Sequence, residues 1–138
     1  MRRGAHRSVP HTADLRVEAW GPTREECLAQ AVRGVCESFL DLTGAAGVRT
    51  RKVPVRADSD ADALVALLEE VVYWLDTEDE VPVDMELTPI AGGLHAVLRM
   101  ADGASLPVTG AAPKAVTLHG LEVAGGPQGW TCSVTVDV

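Results

Sequence analysis

The sequence predicts an α+β fold, with two helices packed on one face of a mixed, mostly antiparallel sheet. Three observations carry that expectation. Hydrophobic periodicity runs strand, helix, strand, helix, and then changes to a run of strands. A capping box, Thr23-Arg24-Glu25-Glu26, opens the first helix, and the acidic stretch Asp58-Ser59-Asp60-Ala61-Asp62 opens the second. The last residues, 113–138, read as two alternating strands around the glycine-rich turn Ala124-Gly125-Gly126-Pro127-Gln128-Gly129.

Residues 1–10 read as a loose lead-in. From Asp14 a strand sets Leu15, Val17 and Ala19 on one face and Asp14, Arg16 and Glu18 on the other, ending at Trp20-Gly21. Asp14 thus stands at a strand mouth on the polar face. The first helix carries Leu28, Ala31, Val32, Val35 and Phe39 at helical spacing and is expected to reach about Leu42. Gly34 inside it costs roughly 1 kcal/mol against alanine, a cost that suits a helix lying close on a sheet. Val53, Val55 and Ala57 alternate with Lys52, Pro54 and Arg56; Pro54 lacks an N–H, which puts this strand at an edge. The second helix buries Leu64, Leu67, Leu68, Val71 and Leu75, with Tyr73 and Trp74 in the core or at its rim. An acidic turn over 76–80 leads to a strand through Val81, Val83, Met85 and Leu87. Ala91-Gly92-Gly93 then turns the chain into a strand through Leu94, Ala96, Leu98 and Met100. Asp102-Gly103 signals a hairpin, with a short strand over 106–108.

In the closing hairpin Trp130, Cys132, Val134, Val136 and Val138 share a face, and Thr131, Ser133, Thr135 and Asp137 share the other. On its first strand Ala115, Thr117, His119, Leu121 and Val123 alternate with Lys114, Val116, Leu118, Gly120 and Glu122. Symmetric pairing about the turn would lay the Ala115 face beside the Trp130 face and set Lys114 diagonally across from Asp137 on one side of the sheet. A slip of one residue would separate them.

A chain of 138 residues fits one domain, 1–138, with a core that needs no staples. The net charge of −8 disfavours direct nucleic-acid binding, which draws on basic groups, and suits a basic protein partner. Cys27, Cys36 and Cys132 show no CxxC spacing, and those on apolar faces read as buried hydrophobes in a reducing compartment. No apolar signal region follows Arg2 and Arg3, and no run approaches a membrane span, so the expected location is cytoplasmic.

No P-loop, GxGxxG, GxSxG or HExxH pattern is present. The acidic opening of the second helix lacks the glycine and distal glutamate of a calcium loop and reads as a cap. His95 reads as solvated and His119 as a core histidine. What remains joins the two chain ends. His11 and Asp14, with Lys114 and Asp137, would converge if the first and last strands are neighbours. Two carboxylates with carbonyl or water oxygens suit Ca²⁺, Mg²⁺ or Mn²⁺ better than Zn²⁺; a plain surface salt bridge would leave the same trace.

His11-Thr12-Ala13-Asp14 with Thr23-Arg24-Glu25-Glu26, and Lys114-Ala115-Val116-Thr117-Leu118-His119 with the ending Val136-Asp137-Val138, together resemble the two signatures of the archease family. The resemblance implies a small α+β protein that assists the GTP-dependent, RtcB-type RNA ligase of tRNA splicing and RNA repair. It implies promotion of ligase guanylylation and multiple turnover, with no RNA joining of its own, hence an accessory protein and not an enzyme. It places the family's functional acids and lysine at Asp14, Lys114 and Asp137, with a divalent cation beside Asp14 and Asp137, calcium foremost among those expected to be seen bound, and His11 and His119 in support. Leu118 stands where the family more often has tyrosine, and the segment 102–113 is short. Two other readings remain open to the residues themselves. One is a metal-dependent hydrolase using Asp14 and Asp137 with Lys114 as electrophile. The other is a chaperone-like protein-binding module.

Overall fold

A computed structural model describes residues 3–10 and 14–138, excluding the side chains of residues 9 and 10. His11, and with it most of the His11-Thr12-Ala13-Asp14 signature, lies outside the described residues. The elements run β1 (Ala5–Pro10), β2 (Asp14–Gly21), α1 (Arg24–Glu37), β3 (Arg49–Arg56), α2 (Asp60–Glu78), β4 (Glu80–Ile90), β5 (Gly93–Asp102), β6 (Ala115–Gly126) and β7 (Gly129–Asp137). The α+β class is as expected: two helices pack on antiparallel strands. The strands divide into two sheets, ordered β1-β2-β7-β6 and β3-β5-β4, and every pairing within them is antiparallel. Helix α1 lies against β1, β2 and β7 of one sheet and β4 of the other, while α2 lies against β6, β3 and β4. Buried residues of both helices and both sheets form one apolar cluster.

The helix starts follow the local chemistry. Thr23 Oγ1 accepts the Glu26 N–H at 3.1 Å, and Ser59 Oγ accepts the Asp62 N–H at 3.1 Å. Asp60 in the first turn of α2 also pairs with Arg24 at 2.8 Å, tying the two helix starts together. The expected stripes are buried: Leu28, Ala31, Val32 and Val35 on α1; Leu64, Leu67, Leu68 and Val71 on α2. Pro54 sits on β3, an edge strand, as its missing N–H requires.

Five expectations need correction. The lead-in is a strand: β1 pairs with β2 from Ala5↔Trp20 to Pro10↔Leu15, and His6 anchors it by contacting Glu37 of α1 at 3.1 Å. Helix α1 ends at Glu37, not near Leu42. Ser38 caps it, and Phe39, Leu40 and Leu42 stay buried in the connection beyond. The acidic turn at 76–80 is divided between the end of α2, the left-handed Asp79 and the buried start of β4. The stretch 106–108 makes only an isolated bridge, Leu40↔Val108, after a short 3-10 turn. Tyr73 is exposed, whereas Trp74 packs against the core with the Arg51 guanidinium over its ring at 4.4 Å.

Gly34 fulfils its predicted purpose. A Cβ there would meet Val17 Cγ1 at 2.7 Å and His6 Nδ1 at 3.0 Å. Gly34→Ala should therefore destabilise by about 1–3 kcal/mol through overpacking, outweighing the helix-propensity gain. Urea unfolding measures this; a variant more stable than wild type would show that α1 does not sit this close to β1 and β2.

The buried start of β4 carries a charge. Glu80, 2 % exposed, receives Arg51 through Nε at 3.1 Å and Nη2 at 2.9 Å, and Arg49 Nη1 at 2.9 Å. The Arg51 hydrogen bonds, opposed by desolvation, hold the Glu80 carboxyl below its ordinary value of 4.5. Between the folded and unfolded pKa the unfolded chain binds the extra proton. The contribution is thus complete above about pH 4.5 and is lost as pH falls through the lower folded value. Glu80→Gln should flatten the acid limb of the stability–pH curve below about pH 4.5. An unchanged slope would remove Glu80 from the titrating set.

Candidate functional site

Strand pairing brings the two chain ends together. On the four-stranded sheet Asp14 of β2 is the direct partner of Asp137 of β7, and Asp137 is in turn the partner of Ala115 of β6. Directly opposed residues on antiparallel strands point to the same side, with Cβ atoms about 4.5–5.5 Å apart. The two carboxylates therefore share the face opposite the core, since Leu15, Val17, Val134 and Val136 alternate inward. Asp14 is half-buried and Asp137 exposed.

Lys114 arrives differently from the sequence expectation. Its N–H donates to the Asp137 carbonyl oxygen at 2.7 Å, so its backbone is fixed at the acid pair and its side chain is exposed. The symmetric register does not persist along the hairpin. Near the turn Val123 opposes Cys132, but at the base Thr117 opposes Thr135 and Ala115 opposes Asp137. From Thr117 to Glu122 is five steps on β6, while Thr135 to Ser133 is two on β7, so β6 carries three extra residues. An odd insertion inverts the alternation. Ala115 and Thr117 consequently share the Asp137 side, and Val116 turns to the core side opposite Val136. Continued alternation would give Lys114 the Val116 side, not the Asp137 side.

The bulge is built by Gly120, at φ 70°, and pinned by Ser133 Oγ donating to the Gly120 carbonyl oxygen at 2.9 Å. It also lifts His119 and Leu118 out of the sheet. His119 is exposed, its N–H donating to Thr117 Oγ1 at 3.0 Å, which overturns its reading as a core histidine. Leu118 is 73 % exposed. A glycine within a strand pattern is the signal that marks such a bulge.

Sequence reasoning passed over Arg16. It lies two residues from Asp14 on the same face, opposite Thr135, so its guanidinium is the neighbouring cation to the acid pair along β2. Farther along this face Glu18 is bound by Arg7 at 2.9 Å, and Arg16, Glu18, Glu122, Thr131 and Ser133 line a shallow cavity of about 150 Å³. The signal was present in the alternation Asp14, Arg16, Glu18.

The donor chemistry fits a hard divalent cation in kind. Asp14 and Asp137 offer carboxylate oxygens side by side, beside main-chain carbonyls at the strand ends. Among the described residues no group of three or more His, Cys, Asp or Glu side chains could hold a metal ion. The pair is thus a partial ligand set, unsuited to Zn²⁺, which favours nitrogen and sulfur donors. No helix among the described residues is long and apolar enough to cross a membrane.

The comparison with known proteins bears on this site. Residues 6–138 match the model of the Archease protein family (MTH1598/TM1083). The chain belongs to the archease family. A Mycobacterium tuberculosis relative named "Probable protein archease" is 54% identical over 133 residues, covering 96% of this chain and 74% of the relative. "Protein archease" of Archaeoglobus fulgidus is 29% identical over 135 residues, covering 96% and 98%. Among solved structures, Methanobacterium thermoautotrophicum protein 1598 superposes with a TM-score of 0.77 at 21% identity, over 97% of this chain and 99% of the other. The Thermotoga maritima protein described as "an archease, possible chaperone" gives 0.66 at 18% identity, over 100% and 98%. These two likenesses establish the archease fold. The matched span contains Asp14, Lys114 and Asp137, so every described residue of the carboxylate pair and its anchored lysine lies within the family region.

Proposed function

We propose that this archease activates an RtcB-type, GTP-dependent RNA ligase, promoting its guanylylation and repeated turnover, and that Asp14, Lys114 and Asp137 carry this role. The observation that supports the reading most is the direct opposition of Asp14 and Asp137 at the end of the sheet, with the Lys114 backbone bonded to Asp137. A paired-acid tip at the strand ends, with an exposed lysine at the edge of the same sheet end, is a surface for engaging a partner's charged pocket, and the protein's charge of −8 favours a basic partner over RNA. Asp14 and Asp137 would hold a divalent cation through their carboxylates. When bound, such an ion supplies positive charge for binding phosphate oxygens. The chain's own part is positional: the β2–β7 register fixes the acids side by side, and the Lys114 hydrogen bond fixes the start of β6 against them.

The test is a guanylylation assay with purified ligase, GTP and Mn²⁺, and this protein at substoichiometric amounts. Repeated guanylylation dependent on the protein is the expected result. Absence of both stimulation and binding would sink the reading. A chaperone-like role has one supporting observation, the exposed Leu118 on the bulge beside the acid pair's strand, which suits protein contact. Suppression of aggregation of unrelated proteins, without ligase stimulation, would favour it.

A further inference from the structure

The opposite, core-facing side of the same sheet carries a second constellation, away from the acid pair. Cys27, in the second turn of α1, and Cys132, on β7, are both buried and both free. Their sulfurs lie 3.3 Å apart. Cys27 Sγ is also 3.7 Å from the Ala19 carbonyl oxygen, and Cys132 Sγ is 3.8 Å from the Cys27 carbonyl oxygen. Thus the two sulfurs face each other within a fixed frame of backbone. We propose that Cys27 and Cys132 form a reversible dithiol–disulfide couple, oxidised by hydrogen peroxide, that staples α1 to β7.

Geometry carries the proposal. A disulfide has sulfurs about 2.05 Å apart, so the pair must close by little more than 1 Å, within reach of side-chain rotation. The third cysteine supplies the contrast. Cys36 is buried on the same helix with no sulfur partner among the described residues, and burial, aided by Glu37, pushes its thiol up to about 12. Cys36 therefore stays a thiol under the same conditions. Within the pair, the sulfur–sulfur hydrogen bond holds the Cys27 thiol below its ordinary value and, with burial, pushes that of Cys132 up. Cys27 is accordingly the sulfur oxidised first and Cys132 the resolving one.

The chemistry balances as follows. The Cys27 sulfur attacks one peroxide oxygen, the O–O bond breaks, and a sulfenic acid forms with release of one water. The Cys132 sulfur then attacks the Cys27 sulfur. The S–O bond breaks, the S–S bond forms, and the departing hydroxide takes the Cys132 proton as a second water. Two thiols lose two electrons and two protons, and one peroxide is reduced to two waters. A small thiol reverses the change by exchange.

The test uses the full native chain. It is exposed to hydrogen peroxide, its remaining thiols are blocked with N-ethylmaleimide in denaturant, and it is cut with trypsin. Cleavage after Arg24, Arg33, Arg49 and Lys114 places the three cysteines in separate peptides, 25–33, 34–49 and 115–138. The expected product is 25–33 linked to 115–138, with 34–49 fully blocked, and the link disappears with dithiothreitol. Recovery of 25–33 and 115–138 as blocked, unlinked peptides would overturn the proposal. So would linkage of 34–49 as often as the others, since that indicates oxidation of an opened chain. Because ligase stimulation is not the readout, failure here is distinct from failure of the proposed function.

Discussion

Asp137→Asn and Asp14→Asn are each expected to abolish stimulation of ligase guanylylation while leaving the melting temperature unchanged or raised. The pairing makes the two effects separable. The carboxylates are direct partners across antiparallel strands, where like charges destabilise by a few tenths to about 1 kcal/mol. Neutralising either one relieves that repulsion, and asparagine keeps the shape and an acceptor oxygen. Neither residue belongs to the buried apolar cluster, so no cavity is created. Loss of stimulation with stability retained assigns the acids to function. Equal loss in the double variant and in each single one would show that they act as a unit. If stimulation survives in both, or if both variants unfold, the acid pair is structural and the ligase reading loses its site. Lys114→Ala should lose stimulation in the same assay with the sheet intact, because its hydrogen bond to Asp137 comes from the backbone.

How much of this was legible beforehand depends on the range of the interaction. Helix starts were legible, since Thr23 and Ser59 act on N–H groups three residues away. Strands that bury one face were legible too, as with Leu94, Ala96, Leu98 and Met100 of β5. The strand β1 was not, because its own residues alternate weakly and one of its anchors, the α1 residue Glu37, lies far along the chain. The closeness of the two acids was foreseen only as a condition on first and last strands being neighbours. The β2–β7 pairing meets that condition. The expected placement of Lys114 beside Asp137 was conditional on a symmetric register, which an odd bulge does not keep, and the glycine Gly120 was its local sign. The Cys27–Cys132 contact spans 105 residues of sequence and has no local sign at all.

Gly93→Ala is expected to be among the most damaging single-methyl changes in the protein, costing about 3 kcal/mol, while Gly92→Ala beside it costs about 1–2 kcal/mol. The two glycines serve different ends. Gly92 has φ 75° in the β4–β5 turn with open space around it, so a side chain there meets only backbone strain. Gly93 needs no special dihedral; instead a Cβ would overlap the Val55 carbonyl oxygen. It stands on β5, the middle strand of its sheet, paired to Arg56 on one side and Ile90 on the other. The strain must go into β3, because the overlap is with its backbone and it is an edge strand. Swinging it out would break the Ala57 N–H bond to the Gly92 carbonyl at 3.0 Å and uncover Val55, which is otherwise 4 % exposed. Urea unfolding of both variants against wild type measures the difference. A Gly93→Ala cost no larger than that of Gly92→Ala would mean that the edge strand yields freely. In that case the pairing of Arg49–Arg56 would contribute little to holding the helices between the two sheets.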